Sequence, residues 1–318
     1  MNFKKELFSI TRENYFRIIK VLGIKIKYSS KGLLKRYLKR EEYQHKAFYE
    51  LLSQAVAPNS LPKAKGILRN QQLFCLKLLQ DLNDICKKNN LKYWIDFGTL
   101  LGALRHGGFI PWDSDTDVCM MREDYLKIIP ILQEYYKNTD IVVREYGYTN
   151  HFQLRIYDKK NDLYGIDIFV MDKYFKKYEE IKSIDDVNKK IKSATQDLRE
   201  KCKSDKPFSR NISKVRDYIT KITQEIILEK QTCEKEDCAL IYGIDYSLID
   251  PKNSVIPYEQ VFPLKTIEFD GTTLCCPNDS IQHIKNYYGE NWMRFPYNFK
   301  LEEDRIIEYI EGLKNDRI

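Results

Sequence analysis

Between Gly98 and Val118 the chain reads Gly-Thr-Leu-Leu-Gly-Ala-Leu-Arg-His-Gly-Gly-Phe-Ile-Pro-Trp-Asp-Ser-Asp-Thr-Asp-Val, and this run constrains the fold more than any other. Three carboxylates, Asp113, Asp115 and Asp117, fall within five residues. Acids packed that closely repel one another and raise their own pKa values unless a cation sits among them. Asp115 and Asp117 alternate along an extended segment, so their side chains point to one face. Two hard oxygen ligands on one face suit Mg²⁺ or Mn²⁺. Upstream, Leu91 to Asp96 reads as a short strand that gives way to a helix at Gly98-Thr99. Gly98 lets the backbone approach a ligand closely. Thr99 is a good N-cap, and the free N–H groups of the first turn make an anion site. The combination implies metal-assisted chemistry on a nucleotide-linked phosphate.

A third acid completes the set. Tyr164 to Val170 is a strongly apolar strand with one charge inside it, Asp167. An unpaired buried carboxylate is expensive, so Asp167 needs a partner. A metal shared with Asp115 and Asp117 would provide one; so would a base such as Arg155. Asp167 is therefore either a metal ligand or the general base that takes a proton from an acceptor hydroxyl. Asp113, two residues before Asp115, is a candidate for the same face as ligand or base, or else caps its turn. Arg105 is placed to clamp a phosphate bidentately, with His106 beside it as a candidate substrate contact. Asp172 either holds the strand end or binds the acceptor. Trp112 and Tyr125 read as core.

The rest of the chain frames these elements. Residues 1–65 form a basic accessory region, closed by the breaker-rich run Ala57-Pro-Asn-Ser-Leu-Pro62. Residues 66–90 read as an amphipathic helix through Leu73, Phe74, Leu78, Leu82, Ile85 and Cys86, ended by Asn89-Asn90. Gly107-Gly108 stops the helix begun at Gly98. The acid-bearing strand runs to about Met121, and Glu123 to Tyr135 follows as another helix. Residues 66–174 are thus the catalytic core, and residues 175–245, charged and short of breakers, read as a helical subdomain. Residues 246–318 complete the catalytic domain. There, Thr266–Phe269, Asp270-Gly271 and Thr272–Cys275 give a clear hairpin signal. A helix from about Asp279 to Tyr288 ends at Gly289.

Charge and cysteine content narrow the setting. The net charge of +7 is concentrated in residues 1–40, which hold 12 Lys or Arg against Glu6 and Glu13. Such a segment is either a solvated basic extension or a contact with an anionic membrane surface. No binding motif accompanies it, which disfavours nucleic acid. No apolar run of about 18 residues is free of charge, and the first residues lack a signal peptide. A cytoplasmic protein, peripheral at most to the inner face of the membrane, is expected. The eight cysteines form no disulfide framework. Cys233, Cys238, Cys275 and Cys276 could offer four thiolates to zinc, but their spacing matches no strong zinc pattern.

The run from Asp96 to Asp117, followed by Arg122-Glu-Asp-Tyr125 and by Gly165-Ile-Asp-Ile-Phe-Val-Met-Asp172, resembles the LicD family of phosphotransferases, which includes the fukutin-related proteins. A weaker likeness extends through Phe269-Asp-Gly to Pro277 and Tyr287-Tyr-Gly289. The resemblance implies an α+β fold: a nucleotidyltransferase-like mixed sheet flanked by helices, with the helical subdomain added. It implies that Gly98 and Thr99 hold a diphosphate and that Asp115, Asp117 and Asp167 share Mg²⁺ or Mn²⁺. The donor would be CDP-linked, CDP-choline foremost, and the acceptor a hydroxyl of a glycan or lipid-linked glycan. Lipopolysaccharide, teichoic acid and capsule are the settings it implies. Ser114 stands where the family often has Asp, and Phe97 where a small residue is common, which would reshape the base or sugar pocket. Choline recognition rests on the resemblance alone, since no spacing marks an aromatic cage among Tyr146, Tyr148, Phe152, Tyr157 and Tyr164. Rival readings keep the same site: transfer of another polyol- or sugar-phosphate from a CDP- or UDP-linked donor, or glycosyl transfer at an Asp-x-Asp metal site.

Overall fold

The computed structural model of the chain describes residues 8–13, 16–21, 24–28, 57–148, 151–174, 239–243, 255–295 and 309–313. The chain divides into two compact units, residues 1–57 with 294–299 and residues 58–293 with 300–318. In the first, Phe8–Glu13 (β1), Phe16–Val21 (β2) and Ile24–Tyr28 (β3) form an antiparallel meander, with Ile19 opposite both Ile10 and Ile26. Ile-Lys-Ile-Lys-Tyr in β3 has the strict alternation of a strand. The division falls at residue 57, earlier than the boundary at 65 that the breaker-rich run suggests.

The second unit is α+β. Its sheet comprises Trp94–Ile95 (β4), Thr116–Met121 (β5), Ile141–Tyr148 (β6), His151–Asp158 (β7), Asn161–Tyr174 (β8), Ala239–Tyr242 (β9) and Val255–Pro257 (β10). The long β8 is its spine. It pairs in parallel with β5 along one edge, and antiparallel with β7 and then β9 along the other. β4, β6 and β10 extend the sheet outward by antiparallel pairing. The expected helical stretch from 175 to 245 is corrected at its end, because Ala239-Leu-Ile-Tyr242 is a fully buried strand of this sheet. Residues 175–238 lie outside the described residues.

Period-two alternation assigns side chains to two faces. Asp117, Cys119 and Met121 of β5 share a face with Asp167, Phe169 and Met171 of β8, since these residues are paired one to one. Beyond the acids, that face continues as an apolar cluster of Trp94, Cys119, Phe169, Met171, Leu240, Tyr242, Ile256 and Val261. Val118, Met120, Ile168 and Val170 point to the other face and are buried as well.

Gly66–Lys88 (α1) and Arg122–Tyr135 (α3) pack against the sheet, and Phe97–His106 (α2) packs against β5. The buried stripe of α1 is Leu68, Cys75, Leu76, Leu78, Leu79, Leu82, Ile85 and Cys86. Leu73, expected in that stripe, is 45% exposed. Near the C-terminus, Tyr258–Val261 (α4) precedes a hairpin of Lys265–Phe269 (β11) and Thr272–Cys276 (β12), and Ser280–Tyr288 (α5) follows. The hairpin turn places Asp270 at φ 50° and Gly271 at φ 82°, the left-handed pair that Asp-Gly favours. Its tip rests on the end of α2: Asp270 N–H donates to Gly107 O at 2.9 Å. The Asp270 carboxylate lies against Gly108 and is held by Arg69 at 2.9 Å and by Lys63.

Gly165 sets how tightly β7 can approach β8, because a Cβ there would stand 2.2 Å from the Ile156 carbonyl oxygen. The obstacle is backbone, which cannot swing aside. Gly165→Ala is expected to lower stability by about 2 kcal/mol or more, read as an earlier urea midpoint with unchanged slope.

Candidate active site

The acids are delivered by three elements. Asp117 and Asp167 face each other across the parallel pair β5–β8. Asp113 and Asp115 come from the loop that enters β5. Buried Gln72 of α1 holds this loop, donating to the carbonyls of Ile110, Pro111 and Asp113 at 3.3, 3.4 and 2.8 Å. The Cys75 thiol adds a contact to Ser114 O at 3.3 Å. Neither α1 residue stands out in the sequence, where both read as part of an amphipathic helix.

The N-terminus of α2 points at Asp117. The Gly98 N–H donates to the Asp117 carboxylate, and the Thr99 hydroxyl accepts the Asp117 backbone N–H at 2.7 Å. Gly98 is a glycine for lack of room: a Cβ there would lie 3.0 Å from Asp113 Oδ2 and 3.6 Å from Asp117 Oδ2. The turn thus gathers two carboxylates over the start of a helix. Burial pushes the Asp117 carboxyl well up, and the charges of Asp115 and Asp167 push it further. Among the described residues, no three acids, histidines or cysteines stand close enough together to hold an ion in this arrangement.

Asp167 has a counter-charge beside it. Arg155 of β7 is its cross-strand partner, with Nε 3.4 Å from Asp167 Oδ1. Both atoms are buried and neither makes a hydrogen bond. Burial raises the Asp167 pKa, while Arg155 and a hydrogen bond from Gln153 pull it back and Asp115 pushes it up, leaving it at about 6.

Thr99, expected as the N-cap of α2, lies one turn inside. The cap is Asp96, whose Oδ1 accepts the Phe97 N–H at 2.7 Å. Asp96 is fully buried and is the hub of a network that sequence reading does not single out. Its carboxylate accepts from Trp94 Nε1 at 3.2 Å and from the Tyr242 hydroxyl at 2.6 Å, and His283 Nε2 lies 2.9 Å away. Burial pushes the Asp96 carboxyl up, but His283, Tyr242 and the Phe97 N–H outweigh it and leave the group below its ordinary range. Phe97 adopts φ 43° and packs its ring against Phe169, Tyr242 and Tyr287, so it anchors the turn in the aromatic core.

Three expected substrate contacts have other occupations. Arg105 is buried; its Nε–H donates to His106 Nε2 at 3.0 Å and an NH1 donates to Trp292 O at 3.1 Å. It ties the end of α2 to the segment at Trp292. Burial, then the Arg105 charge, lowers the His106 pKa to about 4, so at neutral pH His106 has no charge to offer. Asp172 lies on the face of β8 opposite Asp167 and makes a two-point ion pair with Arg122, both contacts at 2.7 Å. It holds the strand end. Trp112 and Tyr125 are core residues. Cys275 and Cys276 are adjacent on β12 and so point to opposite sides, which does not suit a shared zinc; Cys233 and Cys238 lie outside the described residues.

Comparison with known proteins matches residues 90–197 to the family described as LicD/FKTN/FKRP, nucleotidyltransferase domain. The lipopolysaccharide cholinephosphotransferase LicD of Haemophilus influenzae is 45% identical over 67 residues, 21% of this chain and 25% of that protein. An uncharacterized protein of Rickettsia prowazekii is 37% identical over 118 residues, 36% of this chain and 40% of its own length. The human ribitol 5-phosphate transferase FKRP is 39% identical over 54 residues, 16% of this chain and 11% of that protein. The matches therefore span well under half the length of these relatives.

Two outcomes follow from the electrostatics. Asp96→Ala strands the Trp94, Tyr242 and His283 polar groups in the core and is expected to cost about 3–5 kcal/mol, measured by chemical denaturation. The raised Asp167 pKa means that the metal-free native state holds a proton which the unfolded chain has lost. That contribution to stability is complete below about pH 4 and is lost as pH rises through about 6. Thermal melts in EDTA between these values should show Asp167→Asn losing less stability with rising pH than the parent.

Proposed function

We propose that this chain, whose residues 90–197 match the LicD/FKTN/FKRP nucleotidyltransferase family, moves a phosphorylated alcohol from a cytidine diphosphate-linked donor to a sugar hydroxyl of a cell-surface glycan. Phosphocholine is the first candidate for the transferred group, in keeping with the Haemophilus relative. The observation that carries the reading is the in-register pair Asp117–Asp167 beside Asp113 at the N-terminus of a helix. Such a row of acids on a buried face opposes folding unless a cation answers it, and the Oδ1 of Asp167 makes no hydrogen bond. The donor set is all oxygen, which fits Mg²⁺ or Mn²⁺. Asp115, Asp117 and Asp167 would hold the ion. When bound, it supplies polarisation of the phosphoryl oxygens and stabilises charge on the departing CMP.

The chain's own groups orient the rest. Gly98 and Thr99 fix Asp117 at the helix N-terminus, whose partial positive charge faces the donor diphosphate. The acceptor hydroxyl oxygen bonds to the phosphorus that carries the alcohol. The bridging bond of the diphosphate breaks, and CMP leaves with that electron pair. A carboxylate takes the hydroxyl proton. Asp113, outside this ligand set and beside Asp117, accepts it when Asp167 ligates the ion, and Asp167 is the alternative base when it does not. The ribitol 5-phosphate transferase relative favours a second reading in which the transferred group is a polyol phosphate; the bond changes are the same. Residues 1–40 would bring this chemistry to an anionic membrane surface. No helix among the described residues is long and apolar enough to cross a membrane.

The test is ³¹P NMR of the protein with Mg²⁺, CDP-choline and a glycolipid extract. CMP and a new phosphodiester are expected, and Asp117→Ala should lower the rate by about three orders of magnitude with its circular dichroism unchanged. A CDP-ribitol arm separates the two head groups. Release of a nucleoside diphosphate from a nucleotide-sugar, with CDP donors inert, would instead establish glycosyl transfer.

A further inference from the structure

Two arginine–carboxylate pairs in this molecule have opposite character. Arg122 and Asp172 close a fork at 2.7 Å on both arms, the geometry that makes such pairs strong. Arg155 and Asp167 are also cross-strand neighbours and nearly as well buried, with side chains 17% and 11% exposed. Yet they stand 3.4 Å apart, and the facing atoms make no hydrogen bond. An unsatisfied buried guanidinium nitrogen opposite an unsatisfied carboxylate oxygen is costly to both. The pair lies in one row across the sheet, Arg144, Arg155, Asp167 and Asp117 on four successive strands. Asp167 therefore has a cation on one side and a fellow acid on the other.

We propose that Arg155 is a substrate-binding residue, loosely paired with Asp167, that turns to the diphosphate oxygens of the donor once a divalent ion has taken Asp167. This deepens the reading above and rests on it. Asp167 has Arg155 3.4 Å away on one side and Asp117 paired with it on the other. With an ion in place, Asp167 joins the other acids and the guanidinium is released. Its fork then matches two oxygens of a diphosphate, which arrive at the same end of the sheet as Gly98. One side chain would thus link metal loading to donor binding, so that the diphosphate is held firmly only in a metal-loaded site.

The arrangement predicts effects of opposite sign from one substitution. Mn²⁺ binding is followed by electron paramagnetic resonance, and binding of inorganic pyrophosphate at saturating Mn²⁺ by calorimetry, so neither readout depends on the donor's head group or on turnover. Arg155→Gln removes a cation that competes for Asp167, and Mn²⁺ should bind about 10-fold tighter. It also removes the fork, and pyrophosphate should bind about 10- to 100-fold more weakly. Arg155→Lys keeps the charge and lacks the fork, so Mn²⁺ affinity should stay near that of the parent while pyrophosphate affinity falls. Folding of each variant is checked by its melting curve; if the Gln variant does not fold, the Lys variant alone decides, by the pyrophosphate loss. A parent protein that binds both probes, with folded variants that bind them equally well, overturns the role of Arg155 and leaves the proposed function standing. Variants that weaken both probes together mark Arg155 as a structural ion pair. A parent that binds neither probe removes the inference together with the function it rests on.

Discussion

The parallel pairing of β5 with β8 forces Asp117 and Asp167 side by side on a buried face, and like charges so placed work against folding. Much of the surrounding structure is arranged to hold that pair in place. The start of α2 grips Asp117 twice, through the Gly98 N–H and the Thr99 hydroxyl. Arg155 sits beyond Asp167 in the same row. Gln72 and Cys75, from a helix far from the acids in sequence terms, clamp the loop that carries Asp113 and Asp115. The neighbouring apolar cluster, from Trp94 to Val261, supplies the burial that keeps the row in position against its own repulsion.

Asp96 answers the same problem from beneath. It caps the helix that faces Asp117, and it is itself a buried carboxylate. Its charge is met by Trp94, Tyr242, His283 and the Phe97 N–H, so it lies below its ordinary pKa while Asp117 lies above. Two acids about 20 residues apart in the chain are thus set in opposite electrostatic environments, one saturated with donors and one kept short of them. The first makes structure, and the second stays protonated more readily because burial and its acid neighbours disfavour its charge.

Local signals account for what was legible in the sequence. The Asp270-Gly271 hairpin, the helix from Asp279 to Gly289, the glycine stop after α2 and the acid-bearing strand all depend on neighbours within a few residues. The third acid in an apolar strand was readable for the same reason, whereas the α+β class rested on the family resemblance. The misreadings were tertiary. Thr99 and Asp96 are both good caps, and only the positive φ of Phe97, held by an aromatic cluster, selects Asp96. The contacts of Arg105 and Asp172 have no local signal, because their partners, Trp292 and Arg122, lie 187 and 50 residues away. Ala239-Leu-Ile-Tyr242 is a strand because β8 offers it an edge, which no feature of four apolar residues announces. Arg155 was foreseen as one possible partner of Asp167, but the looseness of the pair has no sequence signal.

The hub around Asp96 also orders events in time. Its donors arrive from Trp94, then Tyr242, then His283, so the cap on α2 is completed only when the last of these has left the ribosome. A nascent chain displays the whole acid run, with Asp113, Asp115, Asp117 and Asp167, well before it can seat the helix that faces them. At translation speeds of about 5–20 residues per second, the 116 residues between Asp167 and His283 take roughly 6 to 23 seconds. During that interval the acids are present and their frame is not, so a growing chain carries the acid row before the core that holds it can form.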